Sequence, residues 1–296
     1  MRKAKIITLV SLVLFFVVVC SPFSQDNDDS RNSDRSSVKE TAKEAWGLYI
    51  QYRRIINEAG NYWEDEITTG LSSGRYTNSM FNRQYYRIKT IFDRLLKSEH
   101  LARELNKYNW RIYLQNSNTV NAFAALNGII IINKGIIDFC QNDDELALII
   151  GHEIAHMAED HIKKQIGTRV VMDPIIERIS AFIAQKKNKR LKTEEISDKE
   201  IADREMFQII FGLSGELALL KYNRSQEEKA DEIGAKYAAS VGYDTDKGYA
   251  LWTRMSDNFG SPWLNFLSTH PKSDHRAKNF LEGDYMRKYY KVYTED

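Results

Sequence analysis

The pentapeptide His152-Glu153-Ile154-Ala155-His156 restricts what this 296-residue chain can form more than any other feature. Residues four positions apart lie on one face of an α-helix, so the two imidazoles can converge on one metal ion. Glu153 is rotated by about 100° from His152 around such a helix. Its carboxylate can therefore reach a metal-bound water without ligating the metal. The motif predicts a helix that carries two metal ligands and a general base, as a zinc hydrolase requires.

The sequence around this motif fits a buried active-site helix. Asn142, Asp143 and Asp144 are candidate N-cap residues, and the apolar stretch at residues 145–150 leads into the motif. Three of the six histidines of the chain lie within residues 152–161. This clustering argues against a helix that carries two histidines by accident.

A catalytic zinc site uses three protein ligands and an open fourth position, so a third ligand has to come from elsewhere. His161 lies five residues after His156 and points away from the shared helix face. Glu177 and Glu227 are the remaining candidates. Glu227 is followed four residues later by Asp231, whose carboxylate can accept the free N–H of a ligating histidine. Glu177 has an alanine at that position, so the spacing favours Glu227.

The N-terminus has the features of an export signal. Arg2, Lys3 and Lys5 precede an apolar run at residues 6–19, which is too short to span a bilayer but suits a secretory signal. The run ends at Cys20, where a lipoprotein would be processed. We expect either lipidation of Cys20 or simple cleavage. Lipidation would give an exported lipoprotein, anchored on the periplasmic side of a bacterial membrane.

Composition and low-complexity segments set the remaining boundaries. Residues 24–37 contain no apolar side chain and predict a flexible tether. Cys140 is a small core residue if Cys20 is lipidated, and a disulfide between them is the alternative. The formal net charge of +1 provides no field that would recruit nucleic acid. The predicted division is a signal peptide at 1–20, a tether at 21–37, and one zinc metallopeptidase domain at 38–296 with its core motifs at 110–280.

The predicted fold class is α+β and predominantly helical. Helix-forming sequence with apolar spacing runs from residue 38 to about residue 108, and short strands follow near residues 110–114, 120–124 and 128–135. We therefore expect a small β-sheet beside the helix that carries the metal motif. The strand at Asn121, Ala122 and Phe123 can pair at its edge with an extended substrate peptide.

Several segments, in order along the chain, resemble one family: the zinc endopeptidases of the HtpX, Oma and CAAX prenyl protease type, and in particular their exported branch typified by BepA and LoiP. The segments that carry the resemblance are Asn121-Ala-Phe-Ala, residues 128–135, Glu145-Leu-Ala, His152-Glu-x-x-His156, Asn223-Arg-x-x-Glu227-x-x-Ala-Asp231-x-x-Gly234, and Thr269-His270-Pro271 with Arg276.

The resemblance implies a zincin-like catalytic domain that holds one Zn²⁺ per chain. It implies that His152, His156 and Glu227 bind the zinc, with Asp231 supporting the site. It also implies that His270, which on sequence alone is equally well a surface residue, lies near the zinc and takes part in the reaction. Envelope or exported proteins, in misfolded form, are the expected substrates. An exported chaperone-like or assembly factor, with a capped and rarely active zinc site, is the alternative.

Overall fold

The structure is a computed structural model that describes residues 30–172, 222–258, 260–261, 264–270 and 274–281 of the chain. The predicted signal peptide with Cys20, the alternative ligand Glu177 and the terminal segment after residue 281 lie outside the described residues. Chain contacts divide the protein into two units, residues 1–57 with 166–193 and residues 58–165 with 194–296. All the candidate site residues that are described belong to the second unit.

Nine α-helices are present in the described residues. They are α1 (Ser30–Ser72), α2 (Arg83–Leu95), α3 (Lys134–Phe139), α4 (Asp143–Ala158), α5 (His161–Met172), α6 (Arg224–Ser240), α7 (Lys247–Asp257), α8 (Phe266–Thr269) and α9 (Asp274–Leu281). Across the described ranges, no helix is long and apolar enough to cross a membrane.

One small mixed sheet accompanies the helices. Its strands are β1 (Tyr76–Thr77), β2 (Arg111–Gln115), β3 (Ala122–Ala124) and β4 (Ile129–Asn133), in the order β1-β2-β4-β3. β2 runs parallel to β4, whereas β1 and β3 are antiparallel to their neighbours. The buried strand β4 packs with β3 against α4. This mostly helical α+β architecture, with the sheet beside the motif helix, confirms the predicted fold class.

The segment before residue 38 differs from the expected tether. Helix α1 begins at Ser30, so residues 30–37 are helical in the structure although they contain no apolar side chain. Residues 30–46 contain no glycine or proline, so nothing there interrupts a helix that propagates from the apolar sequence that follows. The boundaries at residues 20 and 37 stay predictions.

A close helix crossing brings the two motif helices together. A Cβ built on Gly151 of α4 would lie 2.8 Å from the carbonyl oxygen of Gly234, and a Cβ on Gly234 of α6 would lie 2.6 Å from the backbone nitrogen of His152. Real Cβ atoms do not approach so closely, so both positions require glycine. The crossing places the first turn after Gly151 directly against the middle of α6.

Candidate metal centre

Helix α4 begins at one of the predicted cap residues, and α6 is capped by an asparagine as well. Asn142 is the N-cap of α4, and its side chain accepts a hydrogen bond from the backbone N–H of Glu145. Asn223 caps α6 in the same way, because its side chain accepts the backbone N–H of Gln226. The side-chain oxygen of Gln226 in turn accepts the backbone N–H of Asn223. These caps fix the first turns of both helices, and with them the rotation of each metal-binding face.

Four buried side chains converge at the crossing of α4 and α6. The candidate ligand atoms of His152, His156, Glu227 and His270 all lie within 4.8 Å of one another. The Nε2 atoms of His152 and His156 are 2.9 Å apart, and Glu227 Oε1 lies 3.3 Å from His156 Nε2. Four donors at zinc–ligand distances of about 2.0–2.1 Å in a tetrahedron would be roughly 3.3 Å from each other. The donor set therefore fits a small divalent cation.

His270 is the fourth member of this cluster. Its Nδ1 lies 3.1 Å from His152 Nε2 and 3.2 Å from Glu227 Oε1. The ring stacks on Phe266 with 4.3 Å between ring centroids and an interplanar angle of 14°. Stacking within α8 and the turn after it thus holds the imidazole of a loop residue at the metal-binding cluster.

His152 is supported by a charged chain of contacts. Its Nδ1 is 2.8 Å from Asp231 Oδ1, and a carboxylate only accepts hydrogen bonds, so Nδ1 carries the hydrogen and Nε2 keeps its lone pair. Arg276 donates to Asp231 through Nε at 2.6 Å and Nη2 at 2.7 Å. Its Nη1 lies 2.8 Å from Glu227 Oε2. The guanidinium also lies over Trp252, 3.7 Å from the ring centroid.

His156 is supported by neutral aromatic groups instead. Its Nδ1 is 2.9 Å from the Nδ1 of His161, which begins α5. The ring stacks on Tyr222, with 3.7 Å between centroids and an interplanar angle of 22°. His161 thus contacts the far nitrogen of His156, away from the converging donor atoms, in agreement with its exclusion as a third ligand.

Glu153 points at the same cluster from the side of the sheet. Its Oε2 accepts a hydrogen bond of 2.8 Å from the backbone N–H of Ala124, the last residue of β3. Its Oε1 lies 3.3 Å from His270 Nε2. The carboxylate is completely buried. It lies beside the metal-binding cluster without belonging to it.

The two acids of α6 are held in their ionised forms. Burial favours a higher pKa for the Glu227 carboxyl, but the charges of His270 and Arg276 outweigh it and hold the pKa well below its usual value. Burial is likewise outweighed at Asp231, where Arg276 and the bond to His152 lower the pKa. Both side chains are therefore carboxylates, the form that accepts hydrogen bonds and binds cations.

The imidazoles of His156 and His161 are held uncharged. Burial, and secondarily the nearby His152, place the pKa of His156 well below its usual value. Burial lowers the pKa of His161 to about 4. A neutral imidazole is the form that binds a metal ion through a ring nitrogen.

The structure gathers most residues predicted from the sequence. Six lie in one buried cluster: His152, Glu153, His156, Glu227, Asp231 and His270. Glu228, the neighbour of the favoured acid, is half-buried and lies apart from it. Of the predicted substrate strand, Ala122 and Phe123 lie in β3, an edge strand of the sheet as described, and Asn121 directly precedes it. The thiol of Cys140 is buried and free.

Three contributions to the site were not assigned from the sequence. They are the ion pairs of Arg276, the stacking of Tyr222 and the amide of Ala124. Each comes from a residue far along the chain from the site residue that it contacts. Arg276 was noted only as part of a distal motif. Tyr222, directly before the cap Asn223, offered no spacing that points to a histidine on another helix.

Sequence comparison identifies a family and several relatives of this chain. The model of "Peptidase family M48" matches residues 82–283. The mitochondrial metalloendopeptidase OMA1 of Schizosaccharomyces pombe is 26% identical over 67% of this chain and 53% of its own length. The putative beta-barrel assembly-enhancing protease of Vibrio cholerae is 27% identical over 60% of this chain and 35% of its own. The metalloprotease LoiP of Escherichia coli is 26% identical over 52% and 56%.

The alignments cover part of each relative rather than its whole length. The chain spans about a third to a half of the length of the first relatives that it matches, from 36% to 53%. The family match extends over about two thirds of the chain and includes every residue of the buried cluster. The chain belongs to peptidase family M48.

Proposed function

We propose that this protein is a zinc metalloendopeptidase that hydrolyses peptide bonds of exported or envelope proteins. One observation carries the proposal: two imidazoles and a carboxylate converge at tetrahedral spacing with a second carboxylate, Glu153, beside them. Metallopeptidase names among the relatives support it.

His152, His156 and Glu227 are the proposed ligands of a single Zn²⁺. Two nitrogens and one oxygen form a donor set that zinc hydrolases use. The bound ion would act as a Lewis acid, polarising the scissile carbonyl and lowering the pKa of water. The pairing of Asp231 with His152 Nδ1 keeps Nε2 free for the ligand bond.

Glu153 is the proposed general base and acid. Its Oε1 faces the cluster, while Oε2 is held by the Ala124 amide. The carboxylate would take a proton from the attacking water and pass it to the leaving amine. His270 Nε2, 3.3 Å from Glu153 Oε1, lies where an imidazole N–H could stabilise the oxyanion of the tetrahedral intermediate.

Strand β3 is the proposed binding edge for the substrate. Ala122 and Phe123 lie in this edge strand, which reaches Glu153 through Ala124, and Asn121 directly precedes it. An extended peptide added beside this strand would bring its carbonyl groups towards the cluster. Ala122 and the cluster are buried in the structure, so substrate entry would require part of the covering chain to move.

The proposed location is the bacterial cell envelope. The basic and apolar N-terminus suits export, and lipidation at Cys20 would anchor the protein to a membrane. The Vibrio cholerae relative is named for β-barrel assembly, whereas the OMA1 relatives are mitochondrial. A chain labelled with radioactive palmitate should lose the label when Cys20 is changed to Ser.

A second candidate function is an assembly factor whose metal site is normally capped. It is favoured by His270 Nδ1, which lies at the fourth corner of the cluster where a substrate or water would bind. In that case purified protein would bind zinc but cleave unfolded envelope proteins only after His270 is replaced.

The deciding experiment uses Glu153→Gln, which is nearly isosteric and leaves the proposed ligands in place. We expect one zinc per chain, measured by elemental analysis, and loss of cleavage of an unfolded envelope protein by at least about a hundredfold. Glu228→Gln, on a half-buried acid beside Glu227, is the matched control and should cleave normally. Proteolysis retained by Glu153→Gln would overturn the mechanism. Envelope proteins trapped by this variant in cells would identify the substrates by mass spectrometry.

A further inference from the structure

We propose that the backbone amide of Ala124 is a positioning group for Glu153, so that strand β3 places the catalytic base as well as the substrate. The inference deepens the proposed function and rests on it, because it takes Glu153 to be the base. The structure contains this contact: the Ala124 N–H donates to Glu153 Oε2 at 2.8 Å, and both groups are buried.

The pairing of β3 shows why this amide is free to serve a side chain. Ala122 pairs with Ile132 and Ala124 with Ile130 in the antiparallel register. Asn133 donates to the carbonyl of Asn121, and Ala125 donates to the carbonyl of Ile129. Hydrogen-bonded pairs alternate along such a ladder. The backbone groups of Asn121 and Ala125 therefore face β4, and those of Ala122 and Ala124 face the open edge.

The open edge is consequently used by two parts of the protein. At one end, the carbonyl of Val120 accepts bonds from the backbone N–H groups of Asn265 and Phe266, at 3.2 and 3.0 Å. At the other end, Glu153 takes the N–H of Ala124. An extended peptide pairing with β3 would thus meet the outward groups of Ala122 between these two contacts.

This contact gives the two carboxylate oxygens of Glu153 different roles. Oε2 is fixed by an amide that belongs to the sheet, and Oε1 is left on the side of His270 and the metal-binding cluster. A hydrogen bond to an ionised group is stronger than one between neutral groups. Because both groups are buried, losing this bond would let the carboxylate rotate away from the attacking water.

Replacing single backbone amides by esters tests the inference. α-Hydroxy acid incorporation at position 124 removes the N–H and keeps the methyl side chain. The same change at position 122 is the matched control, because it also removes an outward N–H. Each ester weakens the carbonyl of the preceding residue, which faces β4 in both cases. Any general effect on β3 is therefore equal in the two proteins.

The two esters should separate kcat from KM. The ester at Ala124 should lower kcat about ten- to a hundredfold, as expected for a bond to a charged group, with KM changed by less than about threefold. The ester at Ala122 should raise KM and keep kcat. Zinc affinity, measured by competition with a chelating dye, should equal that of the wild type in both.

A spectroscopic readout on the metal-free chain tests the contact without turnover. With ¹⁵N-alanine labelling, the Ala124 amide proton should resonate downfield and should move upfield in Glu153→Gln, while the Ala122 proton stays in place. An unmoved Ala124 proton, or an ester at Ala124 with wild-type kcat, would overturn the inference and leave the proposed function intact. A wild-type protein that binds zinc but cleaves nothing would overturn the proposed function, and the inference with it.

Discussion

The two histidines of the motif lie one helical turn apart on α4, yet different kinds of contact hold them. His152 is fixed by the Asp231 carboxylate, which in turn is fixed by the buried guanidinium of Arg276. His156 is fixed by the neutral ring of His161 and by stacking on Tyr222. We call these sets of contacts the charged arm and the neutral arm.

The difference shows how a buried metal site can combine two ways of orienting a ligand. The charged arm places two carboxylates and one guanidinium out of water, so each depends on the others for compensation. The neutral arm relies on packing and one imidazole pair, which cost little to bury. The charged arm should therefore govern the stability of the metal-free protein as well as metal affinity, whereas the neutral arm should act mainly on metal affinity and more weakly.

The largest effect is expected from Arg276→Met. It would leave the Glu227 and Asp231 carboxylates buried without their shared cation, and removing one partner of a buried ion pair costs about 3–5 kcal/mol. Urea unfolding of the metal-free protein measures this loss. Arg276→Lys keeps a charge but cannot bond both acids in the same way, so its stability should lie between those of the wild type and Arg276→Met. Equal stability of all three proteins would contradict the charged arm.

Asp231→Asn should weaken zinc binding by about ten- to a hundredfold. The amide keeps the shape of the side chain but loses the charge that orients and polarises His152. Titration against a chelating dye gives the dissociation constant. Glu232→Gln, one residue further on the same helix and partly exposed, is the control and should bind zinc as the wild type does.

His161→Phe should weaken zinc binding less, by about tenfold. The ring volume and the packing on His156 are kept, but His156 Nδ1 loses its nitrogen partner. The same titration makes the comparison direct. If this variant lost more affinity than Asp231→Asn, the neutral arm would be the stronger of the two and the comparison would be reversed.

The smallest effect is expected from Tyr222→Leu. The shorter apolar side chain keeps part of the burial but loses the stacked ring, which is worth about 0.5–1.5 kcal/mol. Thermal unfolding with and without zinc measures it. A loss confined to the zinc-loaded protein would show that the stacking orients the ligand rather than stabilises the fold.

Helical spacing carried most of the prediction of the site. His152 and His156 share a helix face, and Asp231 follows Glu227 by one turn. The spacing alone therefore favours Glu227 as a ligand and Asp231 as a hydrogen-bond acceptor for a ligating histidine. Candidate caps also marked where α4 begins. These are local regularities, and a single sequence displays them directly.

The missing parts are contacts between distant segments. Arg276 lies 45 residues from Asp231 and its guanidinium bonds only through the folded structure. The Ala124 amide has no side-chain chemistry that a sequence could reveal. The helical start at Ser30 was missed for another reason: a polar composition suggested a tether, although residues 30–46 contain neither glycine nor proline.

Gly151 and Gly234 carry no functional group, but the crossing of α4 and α6 depends on both. A methyl group on either would have to occupy the space of the other helix's backbone, and α4 would shift away from α6. The Glu227 carboxylate of α6, now 3.3 Å from His156 Nε2 and 3.7 Å from His152 Nε2, would then no longer meet the two imidazoles of α4. A mutational scan scored for metal binding should therefore treat these two glycines as strictly as the histidines, although neither contributes an atom to the ion.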